Sequence, residues 1–133
     1  MPEASHARIL PRVTYQDVEA AVAYLCATFG FSEDPADRYH DDTGSLVLTE
    51  LTVVDARIMV GRQGNHGQTS PLDVQGRNTQ MLVIYVDDVD GHYNQAIEQG
   101  AQIEMAINNA PWGDRRYEVL DPEGHRWGFH QRL

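Results

Sequence analysis

One cysteine, Cys26, stands in a chain of 133 residues, so no intrachain disulfide can staple the fold. No uninterrupted apolar stretch approaches the roughly 18 residues of a membrane-spanning helix, and the opening MPEASHAR lacks the apolar run of a secretory signal. A reducing, cytoplasmic compartment and no membrane partner are the expectation. Basic residues are scarce: Lys plus Arg number 10 against 20 Asp plus Glu, a formal net charge of −10. That field repels phosphate backbones. The densest basic run, Arg115-Arg116 with Arg126 and Arg132, is short and flanked by acids, so nucleic acid is not an expected partner. A Gly-x-Ser-x-Gly elbow, a phosphate loop and a dinucleotide fingerprint are all missing, which leaves nucleotide-driven chemistry without a carrier.

What is present suffices for one core, with 41% of residues hydrophobic and a length that matches one domain. Ile9 to Tyr15 alternates in hydrophobicity and predicts a strand. Asp17 then stands where a helix cap accepts from first-turn amides, Val18, Val22, Leu25 and Phe29 follow at helical spacing, and Gly30 closes the helix. The unit recurs. Met81 to Val86 is a second strand, Asp88 a second cap, Val89, Tyr93, Ala96 and Ile97 a second helical face, and Gly100 its end, at an offset of 88 − 17 = 71 residues. Each half continues into strands: Leu46 to Val54 and Arg57 to Gly61 in the first, Arg116 to Leu120 and Arg126 to His130 in the second, the latter pair joined by the turn Asp121-Pro122-Glu123-Gly124. The reading is α+β: two tandem βαβββ modules at about 8–61 and 80–132, joined by a connector at 62–79. Neither module can bury its own sheet face, so their curved mixed sheets are expected to combine around a cleft in a single domain.

The duplicated unit and the DPEGHRW turn resemble the vicinal oxygen chelate superfamily of glyoxalases, extradiol dioxygenases and bleomycin- and fosfomycin-resistance proteins. The similarity runs from about Ile9 to His130. The run Trp112-Gly113-Asp114-Arg115 followed by that turn resembles the glyoxalase/bleomycin-resistance branch. By this resemblance, enzymes of the superfamily hold a divalent metal with four side chains, one from the first and one from the last strand of each module. Those positions fall here on Leu10, Met59, Met81 and Gly128. None is a hard oxygen or imidazole donor, and two thioethers make a poor site even for copper(I). The resemblance thus implies a member without metal or other cofactor, and a homodimer.

Six histidines need separate readings. His6, His66 and His92 have no ligand spacing and are expected in solvent, while His40 and His125 read as structural. His130 differs, because alternation puts Arg126, Gly128 and His130 on one face of the last strand and Trp127 and Phe129 on the other. The same rule groups Leu10, Arg12 and Thr14, and groups Met81, Val83 and Tyr85. The expected ligand-binding set is Arg12, Met59, Met81, Tyr85, Arg126 and His130, with Trp112 as an aromatic lid carried by the loop-like segment 108–113. The competing reading has these side chains filling a closed core with the arginines reaching solvent. Glu50 interrupts an apolar strand and is either a buried general base or a solvated carboxylate. Cys26 reads as small apolar filler. Two functions follow. One is a metal-independent protein that binds or sequesters a small organic ligand, as bleomycin-resistance members do. The other is a glyoxalase-type lyase or isomerase, or a dioxygenase-like enzyme, working through His130 or Glu50 or an atypical metal site.

Overall fold

Two aspartates start the two helices. The Asp17 carboxylate accepts from the Ala20 amide at 3.0 Å and opens α1 (Val18–Phe29). Asp88 accepts from the Gly91 amide at 3.0 Å and opens α2 (Val89–Glu98). Gly30, at φ 75°, closes α1 by donating to the Cys26 carbonyl, a left-handed conformation that favours glycine. Replacing either aspartate by Ala is expected to cost about 1 kcal/mol, read as a loss of thermal unfolding temperature with no effect on ligand binding.

The computed structural model describes residues 8–133, and His6 lies outside them. The chain divides into two compact units, the first ending at Ser70 and the second running Pro71–Leu133. Unit 1 carries β1 (Arg12–Tyr15), β2 (Ser32–Glu33), β3 (Tyr39–His40), β4 (Leu46–Val53) and β5 (Ala56–Arg62). Its sheet has the order β1-β5-β4-β2, with β3 also paired to β4. Unit 2 carries β6 (Leu82–Tyr85), β7 (Gln102–Asn109), β8 (Asp114–Leu120) and β9 (Arg126–Arg132) in the order β6-β9-β8-β7.

Both sheets are mixed in the same way. The strand before each helix pairs in parallel with the last strand of its unit, and the remaining ladders are antiparallel. The registers correspond: Arg12 opposes Met59 and Thr14 opposes Gly61 in unit 1, as Val83 opposes Gly128 and Tyr85 opposes His130 in unit 2. The two βαβββ modules of an α+β fold are thus in place. In the first, the outer strand is broken into β2 and β3 by a 3-10 turn at Pro35–Asp37.

Alternation decides which face each side chain takes. Val13, Tyr15, Leu51, Ile58 and Val60 are buried with the inner face of α1, formed by Val22, Leu25 and Phe29. In unit 2, Tyr117, Val119, Trp127 and Phe129 form the core, with Phe129 stacked on Tyr117 at 5.5 Å between ring centres. His92 corrects its expected place in solvent. It is half-buried on α2, 4.1 Å from the Phe129 ring centre, with Nδ1 2.6 Å from the Tyr117 hydroxyl.

The first strand is shorter than its hydrophobic pattern predicts. Pro11 accepts from the Met59 amide at 2.8 Å but has no N–H to return, so the ladder stops there, and Ile9 and Leu10 lie before β1, exposed. Asn108 and Asn109 belong to β7, which reduces the expected loop to Ala110–Gly113, and β8 begins at Asp114, two residues before the predicted Arg116.

Candidate functional site

On the sheet face of unit 2 that points away from α2, one carboxylate collects three donors. Asp114, the first residue of β8, is buried. Its Oδ2 accepts from the Tyr85 hydroxyl at 2.6 Å, from His130 Nδ1 at 3.2 Å and from Trp112 Nε1 at 3.3 Å. The placement follows from register, since Asp114 opposes Arg132 on β9 and Arg116 opposes His130. The turn that delivers Trp112 is closed by the Ala110 amide donating to the Asp114 carbonyl and the Gly113 amide donating to the Ala110 carbonyl. Two guanidinium groups lie on the aromatic rings: Arg132 is 4.1 Å from the Tyr85 ring centre and Arg116 is 4.5 Å from that of Trp112.

The hydrogen bond from Tyr85, followed by that from His130, holds the Asp114 carboxyl below its usual range against the opposing effect of burial. The same bond, followed by burial, pushes the Tyr85 phenol up. A carboxylate with a depressed folded-state pKa stabilises the fold above its unfolded value and loses that contribution as pH falls through the folded value. Between about pH 5 and pH 3 the wild type is therefore expected to lose more of its melting temperature than Asp114→Asn does, whose amide does not titrate. Equal slopes in thermal unfolding across that window would remove the carboxylate from the account.

Beside this cluster the sheet is bare at Gly128. A Cβ there would lie 2.9 Å from the Met81 methyl and 3.4 Å from His130 Nε2, so the thioether end and the imidazole edge flank the same small volume. Tyr85 is 39% exposed and Trp112 65% exposed. Arg126, on the same strand face, is taken up by Glu118 at 2.8 Å and Glu104 at 3.5 Å, so its charge is already paired.

Unit 1 brings Arg12 and Met59 together on its corresponding face. The Arg12 guanidinium donates to Gln68 Oε1 at 3.2 Å, to the Arg62 carbonyl at 3.2 Å and to Met59 Sδ at 3.4 Å. These acceptors are all neutral, and a side chain at Gly61 would run into the same guanidinium. Glu50 opposes Met59 in register, but it accepts from Arg57 Nε at 2.9 Å while the other arm of Arg57 holds Asp37 at 2.7 Å. It is a salt-bridged carboxylate. Burial, followed by the charge of Glu33, pushes the half-buried Cys26 thiol up, which disfavours the nucleophilic thiolate.

The metal of the wider superfamily does not fit these residues. Leu10 offers no donor, Gly128 offers none, and the Met59 sulfur faces a guanidinium. Among the described residues no group of three or more His, Cys, Asp or Glu could hold a metal ion.

A family model described as the glyoxalase/bleomycin resistance protein/dioxygenase superfamily matches residues 5–129. The chain belongs to this superfamily. TioX from Micromonospora sp. ML1 is 30% identical with a TM-score of 0.78, the match covering 96% of this chain and 99% of that one. TnmS3 from Streptomyces sp. CB03234, an antibiotic binding protein, shares the fold at 20% identity and a TM-score of 0.69, covering 96% of this chain and 98% of its own. An uncharacterized protein of Mycobacterium tuberculosis is 26% identical over 124 residues, 91% of this chain and 72% of that one.

Of the residues singled out in the sequence, the superfamily fold therefore gathers Tyr85, Trp112 and His130 around one carboxylate, sets Met81 beside His130, and pairs Arg12 with Met59 in the other unit. It holds Glu50 in an ion pair with Arg57 and Arg126 in an ion pair with Glu118. Asp114 and Gln68 were missed. The Trp-Gly-Asp-Arg run carried the signal for Asp114, whereas Gln68, which also accepts from the Thr14 hydroxyl at 2.9 Å, lies in the connector with no periodic signal.

Proposed function

We propose that this chain is a metal-independent binding protein of the glyoxalase/bleomycin-resistance type that binds or sequesters a small organic ligand. The observation that carries the reading is the residue set at the four metal positions, Leu10, Met59, Met81 and Gly128, where two positions lack any donor and the others present only thioethers. The ligand-facing groups in this reading are Met81, Tyr85, Trp112 and His130 in unit 2 and Arg12 and Met59 in unit 1. They combine apolar surface with a few polar groups, as small-molecule sites do. The antibiotic binding protein TnmS3, built on the same fold, supports the class of function. A homodimer and a cytoplasmic location belong to the same proposal; they rest on the family resemblance and on the lone, half-buried Cys26.

The test is a thermal-shift screen of antibiotics, metabolites and metals on protein purified without chelator, combined with metal analysis. A ligand present at 100 times its Kd stabilises by about 2.7 kcal/mol, so a fitting molecule raises the melting temperature by several degrees. A stoichiometric transition metal that survives dialysis would overturn the reading. The pairing of Asp114 with His130 favours one alternative, a metal-free lyase or isomerase using His130 as acid and base. Turnover of a screened ligand, lost in His130→Gln while binding persists, would select it.

A further inference from the structure

We propose that His130 presents Nε2 as a fixed hydrogen-bond acceptor over Gly128, and that this atom selects ligands carrying an aromatic hydroxyl. The inference deepens the binding reading above and rests on it. Asp114 Oδ2 already takes the Tyr85 and Trp112 protons, and an ionised carboxylate only accepts. The contact at 3.2 Å therefore requires the proton on His130 Nδ1, which in the neutral imidazole leaves the lone pair on Nε2. Asp114 is a positioning residue for that tautomer. Among the described residues, the polar contact of the His130 ring is made through Nδ1, and Nε2 has no partner.

The surroundings of Nε2 define what it accepts. Across the missing side chain of Gly128 stands the Met81 methyl, the end of an unbranched, adaptable thioether that can swing aside for a ligand atom. Val83 opposes Gly128 and Tyr85 opposes His130 on β6, both with exposed surface, and Trp112 is exposed next to them. An aromatic body fits that apolar and aromatic strip. The ring is buried as a whole but this nitrogen keeps an accessible edge, and a bound ligand that covers it without bringing a donor leaves it desolvated and unpaired.

The probes are 4-methylphenol and 4-methylanisole, which have similar bodies but differ in the hydroxyl proton, and the phenol keeps that proton at neutral pH. Titrations followed by nitrogen-15 NMR of histidine-labelled protein at neutral pH read both affinity and tautomer. The expected result is an Nδ1–H, unprotonated-Nε2 signature for His130 in the wild type, 4-methylphenol bound at least tenfold more tightly than 4-methylanisole, and a shift of the Nε2 resonance on phenol binding. In His130→Phe the two probes should bind alike. Asp114→Asn, which keeps the size of the side chain, should populate the other tautomer and shrink the preference. An Nε2–H signature in the wild type, equal affinity for the two probes, or binding of neither would each overturn the inference. Equal affinity would leave the binding-protein reading standing, and that reading is judged separately by the ligand screen and metal analysis.

Discussion

Trp127→Ala is expected to destabilise the protein by about 3 to 5 kcal/mol, the range for truncating a large buried aromatic. Trp127 is 1% exposed on β9, between its register partners Leu82 and Val119. Its indole N–H donates to Asp121 Oδ2 at 3.1 Å. The other oxygen of Asp121 accepts from the Glu123 and His125 amides, each at 3.0 Å, so the indole also holds the residue that shapes the β8–β9 turn. Trp127→Phe separates the two contributions. It keeps most of the ring but removes the donor, and should cost more than a surface change yet less than the alanine variant. Chemical denaturation with an unchanged slope measures both. A Trp127→Ala protein as stable as the wild type would place this side chain outside the core and reverse the two faces of β9.

That assignment of faces was legible in the sequence because strand alternation needs only one anchor, and the run from Arg126 to His130 offers two aromatics on one parity. The two helix starts were legible for a similar reason: Asp17 and Asp88 are strong local signals whose hydrogen bonds lie within three residues. His92 was misplaced although the information was present. Val89, His92, Tyr93 and Ala96 follow the i, i+3, i+4, i+7 pattern, which sets His92 on the face that packs against the sheet. Asp114 was harder, because its role depends on which residue begins β8, and a strand edge next to a Gly turn carries little periodicity. The pairing of Glu50 with Arg57 also escaped, since it joins neighbouring strands across a hairpin and the third member, Asp37, comes from a distant 3-10 turn. For Asp114 and Glu50 the deciding contact depends on register or on a turn, which hydrophobic patterning leaves undetermined.

His130→Ala is expected to separate stability from binding. The imidazole is buried, and its loss removes one of the three donors on Asp114. Tyr85 and Trp112 remain, so the carboxylate keeps partners and unit 2 keeps its aromatic core on the opposite face of the sheet. The cost should be about 1 to 3 kcal/mol, the range for a lost buried polar partner, and smaller than that of Trp127→Ala. Cooperative unfolding and the far-ultraviolet circular dichroism should survive. If His130 Nε2 takes the ligand's proton as proposed, the thermal shift produced by a hydroxyl-bearing ligand found in the screen should shrink at a concentration near its wild-type Kd, while the apolar strip of Met81, Val83 and Tyr85 is retained. His130→Ala with undiminished ligand stabilisation would move the binding site off this face of unit 2, and the neutral-partnered guanidinium of Arg12 in unit 1 would become the next group to truncate.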